Sequence, residues 1–351
     1  MHLALAVLLL PLLSQEAVPD APRLRRLIGQ LGADFLEERE AARRLLEKEG
    51  RAAEPLLVEA IGAPDHRVRK TCLELLIALK STAALKAASE VFRDDENLEV
   101  KDAAFRLLQA VGQDAEDRLI DALDSPVYEF RRGAIQSLTE MRSGKCVGKM
   151  IEVFERDFHQ GLREAAFRCL LVQGKPAEPF LIRQLQAADV AVRREALQAL
   201  ARGGSAEALE ATGRLFAVET DPTVIQAAFD FLAASGAQAG PHFLGGLKSA
   251  SEQTRAKSIE GLITLKNKDA LDAVSAMFLE EGAESVRSAA LAYLRGLGLA
   301  SEAALLRGLE SKNSKVKLAS IKVLGEIGSD KPLEKIGRLF REDADREVHA
   351  R

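Results

Sequence analysis

The sequence predicts an all-α fold, a right-handed α-solenoid of about ten helical hairpins. The first observation is a column of basic residues early in each predicted second helix, interrupted once by Ile, at intervals that alternate between about 30 and about 32 residues. Its positions are Arg39, Arg69, Lys101, Arg131, Arg163, Arg193, Ile225, Arg255, Arg287, Lys317 and His349. The second is a Phe that recurs at intervals of about 62 residues, so two hairpins form one double unit. The third is the composition, 47% hydrophobic with no Trp, which is typical of helices packed through Leu, Ala, Val and Ile.

The N-terminus has the features of an export signal. Residues 3–13 form an apolar run that is short for a transmembrane helix and of the length of a secretory signal. We therefore predict a signal peptide over residues 1–17, with Ser14 and Ala17 as plausible residues at the cleavage point, and an extracytoplasmic protein, either periplasmic or secreted. An uncleaved N-terminal anchor and a mis-assigned start are the alternatives, and only the anchor would insert stably in a membrane.

A short linker is predicted over residues 18–22, because its prolines favour extended backbone. The solenoid then runs over residues 23–351. Its first hairpin is predicted to consist of residues 24–31 and 34–50, with Asp34 as the N-cap of the second helix and Gly50 at its end.

Each later hairpin repeats one internal pattern. In the second helix a small residue precedes a large one, and Leu follows three positions on, as in Ala104-Phe105-Leu108. This spacing places the three side chains on one helix face. The turn before the second helix carries a predicted capping residue, and the basic residue that follows is expected to pair with an Asp of a neighbouring repeat. The predicted caps are Asp65, Asp124, Asp189, Asp221 and Asn313.

The C-terminal residues 346–351 begin another second helix, and the sequence stops before its core residues. The last repeat is therefore predicted to be incomplete. Either its apolar edge is exposed or the sequence is a fragment of a longer protein.

The repeats at residues 189–204 and 284–298 follow the pattern D-x-x-V-R-x-x-A-x-x-x-L-x-x-x-G loosely, and this pattern resembles HEAT-like repeats. The resemblance extends over about residues 22–351. It implies a right-handed α-solenoid with a scaffold or adaptor role. The short units are similar to the subclass that also occurs in phycobilisome bilin lyases.

No catalytic, cofactor-binding or metal-binding motif is found. None of the five histidines is followed by Glu, so the repeated His-Glu pairs of HEAT-like di-iron hydroxylases are missing, and there is no P-loop, G-x-S-x-G or G-x-G-x-x-G motif. A net charge of −4 gives no overall attraction to nucleic acid. The three cysteines do not form a disulfide framework; Cys72 is predicted to be a small core residue. Cys146 and Cys169 are either bonded to each other or buried as thiols.

One local feature points to a partner. Arg106, Arg132, Arg168 and Arg194 occupy exposed positions on successive second helices, which line the concave face of such a solenoid. Phe231 with Tyr293 is a second candidate patch, with packing between repeats as the alternative. We therefore predict a non-enzymatic, exported scaffold that binds a protein along its concave face, and an acidic partner would suit the arginines. The alternative is an enzyme or enzyme accessory similar to a bilin lyase.

Overall fold

The structure is a computed structural model that describes residues 21–329 and Gly337. Over residues 21–329 the regular structure is helical, with short 3-10 turns between several helices and no β-strand. The helices of the first half are α1 (Ala21–Gln30), α2 (Leu36–Glu49), α3 (Glu54–Ala60), α4 (His66–Leu79), α5 (Leu85–Asp94), α6 (Leu98–Val111), α7 (Glu116–Asp121), α8 (Tyr128–Met141), α9 (Val147–Arg156) and α10 (Gln160–Leu170). Those of the second half are α11 (Glu178–Gln184), α12 (Val190–Leu200), α13 (Ala206–Val218), α14 (Pro222–Ala234), α15 (Gly240–Gly246), α16 (Glu252–Thr264), α17 (Leu271–Glu280), α18 (Glu284–Leu297), α19 (Glu302–Gly308) and α20 (Ser314–Glu326).

Over residues 21–329 consecutive helices pair as ten hairpins, each with an odd-numbered first helix and an even-numbered second helix. The chain divides into two compact units, residues 1–169 and 170–351, at the end of α10. In the first unit α4 packs against α2 and α6, and α6 packs against α8. In the second unit α14 packs against α12 and α16, and α16 packs against α18. The predicted all-α solenoid of about ten hairpins is confirmed.

The core is formed by the face that the sequence pattern predicts. Ala104, Phe105 and Leu108 are all buried, and Cys72 is fully buried at the position equivalent to Ala104. The small side chain allows the helices to approach, while the large one and the Leu fill the space on either side. The prediction of Cys72 as a small core residue is confirmed.

The column of basic residues forms two kinds of contact in alternation. In every second hairpin the Arg bridges to an acidic side chain of the following hairpin, and these pairs keep the period of the double unit: Arg69 with Asp95, Arg131 with Asp157, Arg193 with Glu219, and Arg255 with Glu281. In the intervening hairpins Arg163 and Arg287 instead donate to the backbone carbonyls of Asp157 and Glu281. The predicted inter-repeat ladder is therefore present, although two of its four acids are Glu.

The acids of this ladder also organise the turns. Glu219 accepts hydrogen bonds from the amides of Thr220 and Asp221, as well as from Arg193. Burial alone would raise the pKa of the Glu219 carboxyl, but these donors outweigh it and lower the pKa below its ordinary value. The pKa of Asp95 is lowered in the same way, against the effect of burial, by Arg69 and the Asn97 amide.

Capping follows the prediction except at two turns. Asp65, Asp189, Asp221 and Asn313 each accept a hydrogen bond from the first turn of the next helix. The predictions for Asp124 and Asp34 were wrong. Helix α8 begins at Tyr128 with Val127 as its N-cap, and α2 begins at Leu36 with Phe35, so both acids lie too early.

Several predictions concern the ends of the chain. The predicted signal peptide at residues 1–17, linker residues 18–20 and the incomplete last repeat beyond Ser329 lie outside the described residues, apart from Gly337. Ala21 and Pro22, which the sequence assigns to the linker, instead form the first turn of α1. Proline suits this position because the first turn of a helix does not use its amide hydrogens.

One stretch of the described residues, Glu284–Gly308, is long and apolar enough to cross a membrane by length and composition. In the structure this stretch is α18, a 3-10 turn and α19. Helix α18 packs on α16 and α17, and α19 packs on α20. Apolar residues of this stretch such as Val286, Leu294 and Leu305 are buried in the packing of two hairpins, whereas Leu299 is exposed.

The two remaining sequence alternatives concern side-chain burial. Phe231 and Tyr293 are buried, and the Tyr293 hydroxyl donates to the Asn267 carbonyl at 2.6 Å, so both are packing residues. Cys146 and Cys169 are also buried, with their sulfurs 4.0 Å apart. That separation is about twice the length of a disulfide bond, so the structure holds the pair as neighbouring thiols.

Candidate functional site

The second helices of the first unit form a groove beside one of the predicted arginines. Helices α4, α6 and α8 contribute to it, and its volume is about 360 Å³. We call it the second-helix groove. Its lining residues are Lys70, Leu98, Glu99, Asp102, Arg106, Val127, Glu129 and Phe130.

The apolar part of the groove results from a break in the capping pattern. Val127 is the N-cap of α8 and offers no side-chain hydrogen bond. The equivalent position in the other double units is occupied by a residue that caps its helix, namely Asp65, Asp189, Ser251 or Asn313. Replacing such a cap by an apolar residue costs about 1 kcal/mol of stability. An exception of this kind is typical of a functional position.

Phe130 is a second exception in the same hairpin. The equivalent residues elsewhere are Val68, Val192, Thr254 and Val316. The larger Phe130 ring packs 5.0 Å from the ring of Phe92 and 5.2 Å from that of Phe105, measured between centroids. It fills the space between hairpins α5–α6 and α7–α8, and its edge contributes to the groove.

Leu98 adds exposed apolar surface at the start of α6. Its side chain is 59% exposed. Asn97 caps the same helix by accepting from the amides of Glu99 and Val100, so local hydrogen bonds hold the backbone that carries Leu98. A backbone that is already ordered loses little conformational entropy when a partner covers the side chain that it carries.

Charged side chains surround this apolar surface, and most are already paired. Arg106 forms a salt bridge with Asp102 within α6, with its Nε 3.0 Å from the carboxylate. Arg132 forms one with Glu129 within α8, with its Nε 3.2 Å from the carboxylate. Lys70 bonds Glu99 at 2.7 Å across α4 and α6. The hydrogen bond from Lys70 lowers the pKa of Glu99 below its ordinary value. The rim therefore carries both signs of charge, with the arginines partly neutralised.

The four arginines predicted from the sequence lie in different settings. Arg106 lines the groove, whereas Arg132 lies beside it on α8. Arg168 is exposed on α10 and Arg194 is half-buried on α12, in the second unit, and neither forms a salt bridge within the described residues. Their role in partner binding stays a prediction.

Leu98, Val127 and Phe130 were missed by reasoning from the sequence. The signal was available for two of them, because Val127 and Phe130 depart from what the equivalent positions carry. The charge pattern drew attention to arginines instead, although an apolar residue at a capping position is the rarer feature.

The groove has the character of a binding surface. It offers an apolar strip and charges of both signs, which together can recognise a protein segment. Among residues 21–329 no group of three or more His, Cys, Asp or Glu side chains is placed to hold a metal ion.

Residues 147–233 match a protein-family model described as HEAT repeats. The match confirms the HEAT-like character predicted from the sequence over this part of the chain. The same hairpins and the same Arg–acid ladder extend on both sides of it, from Arg69 to Glu281.

Many solved structures match the chain in fold. A structure of Kap95p with RanGDP is 12% identical, with a TM-score of 0.43, and the match covers 93% of this chain and 53% of that one. A structure of Kap121p bound to Ste12p is 12% identical, with a TM-score of 0.45, covering 91% and 43%. Human deoxyhypusine hydroxylase is 17% identical, with a TM-score of 0.31, covering 78% and 96%. The chain thus spans about half the length of the first two, and no curated protein sequence matches it significantly.

Proposed function

We propose that this protein is a non-enzymatic scaffold that binds another protein through the second-helix groove. The observation that carries the proposal is the replacement of a capping residue by Val127 beside the exposed Leu98. The chain gives up helix stability at this turn and gains apolar surface there. The partner's apolar side chains contact Leu98 and Val127, and its charged groups contact the rim.

We propose further that the arginines extend this surface. Arg106 lies in the groove and Arg132 next to it, so an acidic partner segment would compete with Asp102 and Glu129 for the two guanidinium groups. Charged contacts of this kind raise the specificity and the rate of association more than they raise the affinity. The contribution of Arg168 and Arg194 belongs to the same proposal.

The site of action is proposed to be outside the cytoplasm. The apolar run at residues 3–13 supports this, since it has the length of a secretory signal. The second-helix face is proposed to be the concave side of the solenoid, as in HEAT-like arrays, which suits the enclosure of a partner segment.

The experiment compares Val127→Asp with the native protein. Asp restores the residue type found at the equivalent Asp65 and Asp189, so α8 should gain about 1 kcal/mol. The same change removes apolar surface from the groove, so partner affinity should fall about tenfold or more. The partner is the protein recovered by photocrosslinking from position 98, and its affinity is measured by calorimetry alongside urea unfolding.

The matched control is Asp65→Val, which removes a cap at the equivalent position of α4. It should lose about 1 kcal/mol of stability and leave partner affinity unchanged. Equal affinity for the native protein and Val127→Asp would show that the groove is not the binding site.

Charge reversal tests the arginines separately. Arg106→Glu with Arg132→Glu should weaken binding most at low salt, and the difference should shrink as salt screens the charges. Unchanged binding across the salt series would remove the arginines from the proposed site.

A further inference from the structure

A second opening lies between the hairpins α5–α6 and α7–α8, on the side of their first helices. It has a volume of about 580 Å³ and is walled by α5 and α7. We call it the first-helix cleft. Its principal lining residues are Lys86, Glu90, Phe92, Arg118, Asp121 and Phe130. It shares Val127 and Phe130 with the second-helix groove, but its charged walls belong to different helices.

The cleft exists because α5 and α7 stand apart. In the second unit the equivalent helices α13 and α15 pack directly on each other. There, Gly213 leaves room for His242, whose ring would lie 2.1 Å from a Cβ at residue 213. The residues at the equivalent positions of α5 and α7 are Ser89 and Arg118.

The floor of the cleft is apolar and aromatic. Phe92, Phe105 and Phe130 form a cluster with ring centroids 5.0 to 5.4 Å apart. Phe92 is only half-buried and, with Leu108, lines the cleft. A groove of this size with an aromatic floor can bury one or two large side chains of a ligand.

The walls carry charges in a regular order. On α5 the cation Lys86 is followed one helical turn later by the anion Glu90, and on α7 Arg118 is followed in the same way by Asp121. All four side chains are exposed, and within the described residues none of them forms a salt bridge. By contrast, Arg93 on the same wall is neutralised by Asp94 at 3.0 Å.

Arg118 is an exception to the repeat, as Val127 and Phe130 are. The equivalent residues in α3, α11, α15 and α19 are Leu56, Phe180, His242 and Ala304. A single hairpin therefore departs from the pattern at three positions, and all three line this cleft. The positions of Val127 and Phe130 otherwise carry residues suited to the repeat packing, so these two departures, together with the exposed charge of Arg118, point to a ligand.

We propose that the first-helix cleft binds an amphipathic helix of a protein partner. Large apolar side chains of that helix rest on the phenylalanine floor. One acidic side chain lies between Lys86 and Arg118, and one basic side chain lies a turn away between Glu90 and Asp121.

A helical ligand is favoured because both walls change sign over one helical turn, so a second helix laid along them presents its own side chains at the same spacing. The mixed charge is unsuited to nucleic acid, whose backbone is uniformly anionic. This binding mode is a second contact of the scaffold, on other helices than those that carry Arg106.

The test uses three synthetic helical peptides of about 15 residues, each with a Trp and a Leu on the apolar face. The first carries one Glu and one Lys four positions apart beside the apolar face, the second carries two Glu, and the third two Lys. Because the chain contains no Trp, binding is measured from the Trp fluorescence of the peptide, without a Trp signal from the protein. The native protein should bind the Glu/Lys peptide about tenfold more tightly than the other two.

The protein variant Lys86→Glu with Arg118→Glu replaces by anions the two cations that the proposal assigns to the acidic side chain of the ligand. It should bind the Lys/Lys peptide most tightly and lose its preference for the Glu/Lys peptide. These side chains are exposed and form no salt bridge within residues 21–329, so helical content and the unfolding midpoint should not change. The matched control, Lys248→Glu with Lys312→Glu, alters the net charge equally at exposed positions of the second unit and should keep the native preference.

The proposal is overturned if the native protein binds none of the peptides or all three equally. It is also overturned if the control variant changes the preference as the cleft variant does. Photocrosslinking from position 98 is expected to persist in the Lys86→Glu, Arg118→Glu variant. Failure of the cleft and failure of the second-helix groove therefore give different results.

Discussion

At the residue scale, Arg193 shows how one side chain stabilises two hairpins. Its guanidinium bonds the Glu219 carboxylate at 2.8 and 3.1 Å and donates to the carbonyl of Ala187 at 2.8 Å. Both charged side chains are largely buried, at 14% and 5% exposure. Such a pair contributes little net stability compared with an apolar pair of the same volume, but the loss of one member leaves a buried charge.

We therefore predict that Arg193→Ala destabilises the protein by about 3 kcal/mol, because Glu219 keeps its position without its cation. The measurement is urea unfolding followed by circular dichroism. The control is Arg44→Ala, which removes the exposed pair with Glu40 and should cost under about 0.5 kcal/mol. Equal costs for the two variants would show that the ladder does not join the hairpins energetically.

A second prediction concerns the buried thiols. Burial raises the pKa of Cys72 to about 12, so its thiolate fraction at pH 8 is on the order of a thousandfold below that of an exposed cysteine. The pKa of Cys146 is also raised, by its hydrogen bond with Cys169 and by burial. We expect the folded protein to react slowly with a thiol reagent and the unfolded protein to react at three sites. A count of one after unfolding would show that Cys146 and Cys169 are bonded.

At the element scale, the first helices α13 and α15 show how glycine permits two helices to pack closely. Helices α13 and α15 approach closely at glycines, since a Cβ at Gly213 would lie 2.1 Å from the His242 ring and a Cβ at Gly246 would lie 3.0 Å from the Phe216 ring. The same Cβ at Gly246 would also lie 2.2 Å from the Ser258 hydroxyl of α16. The neighbouring Gly245 has no heavy atom within 4 Å of the same position. Close packing therefore requires a glycine at position 246, whereas position 245 has room for a larger side chain.

This contrast gives a paired prediction. Gly246→Ala should destabilise the protein by about 1–3 kcal/mol through overpacking, whereas Gly245→Ala should stabilise it by roughly 0.5–1 kcal/mol through helix propensity. Thermal unfolding of both variants measures the difference. If both substitutions stabilise, the close packing of α15 on its neighbours would be refuted.

Much of this architecture could be predicted from the sequence, because helical periodicity and capping are local. The alternating column of basic residues located each second helix, and the small residue equivalent to Ala104 located the core. The site could not be predicted in the same way. The opening between α5 and α7 depends on the distance between two helices that are remote in the sequence, and no local pattern determines that distance. The cap at Asp124 failed because Asp124 lies before Val127, the residue equivalent to Asp65 and Asp189, and is too far from the start of α8 to cap it.

At the scale of the whole molecule, the features that point to a partner are concentrated in the first unit. Val127, Phe130 and Arg118 all belong to the hairpin α7–α8, whereas the second unit carries capping residues in place of Val127 and smaller residues in place of Phe130. We infer that the groove and the cleft of the first unit are the principal partner surfaces, with Arg194 as the proposed contribution of the second unit. The central claim is that a protein partner occupies the second-helix groove.

The most direct test is photocrosslinking in the native cell from residue 98, with the same photoreactive residue at position 299 as the control. The two leucines are similarly exposed, at 59% and 61%, but Leu299 lies outside the groove. We predict a discrete adduct with one extracytoplasmic protein from position 98 and no such adduct from position 299. No adduct at position 98, or the same adducts from both positions, would contradict the account.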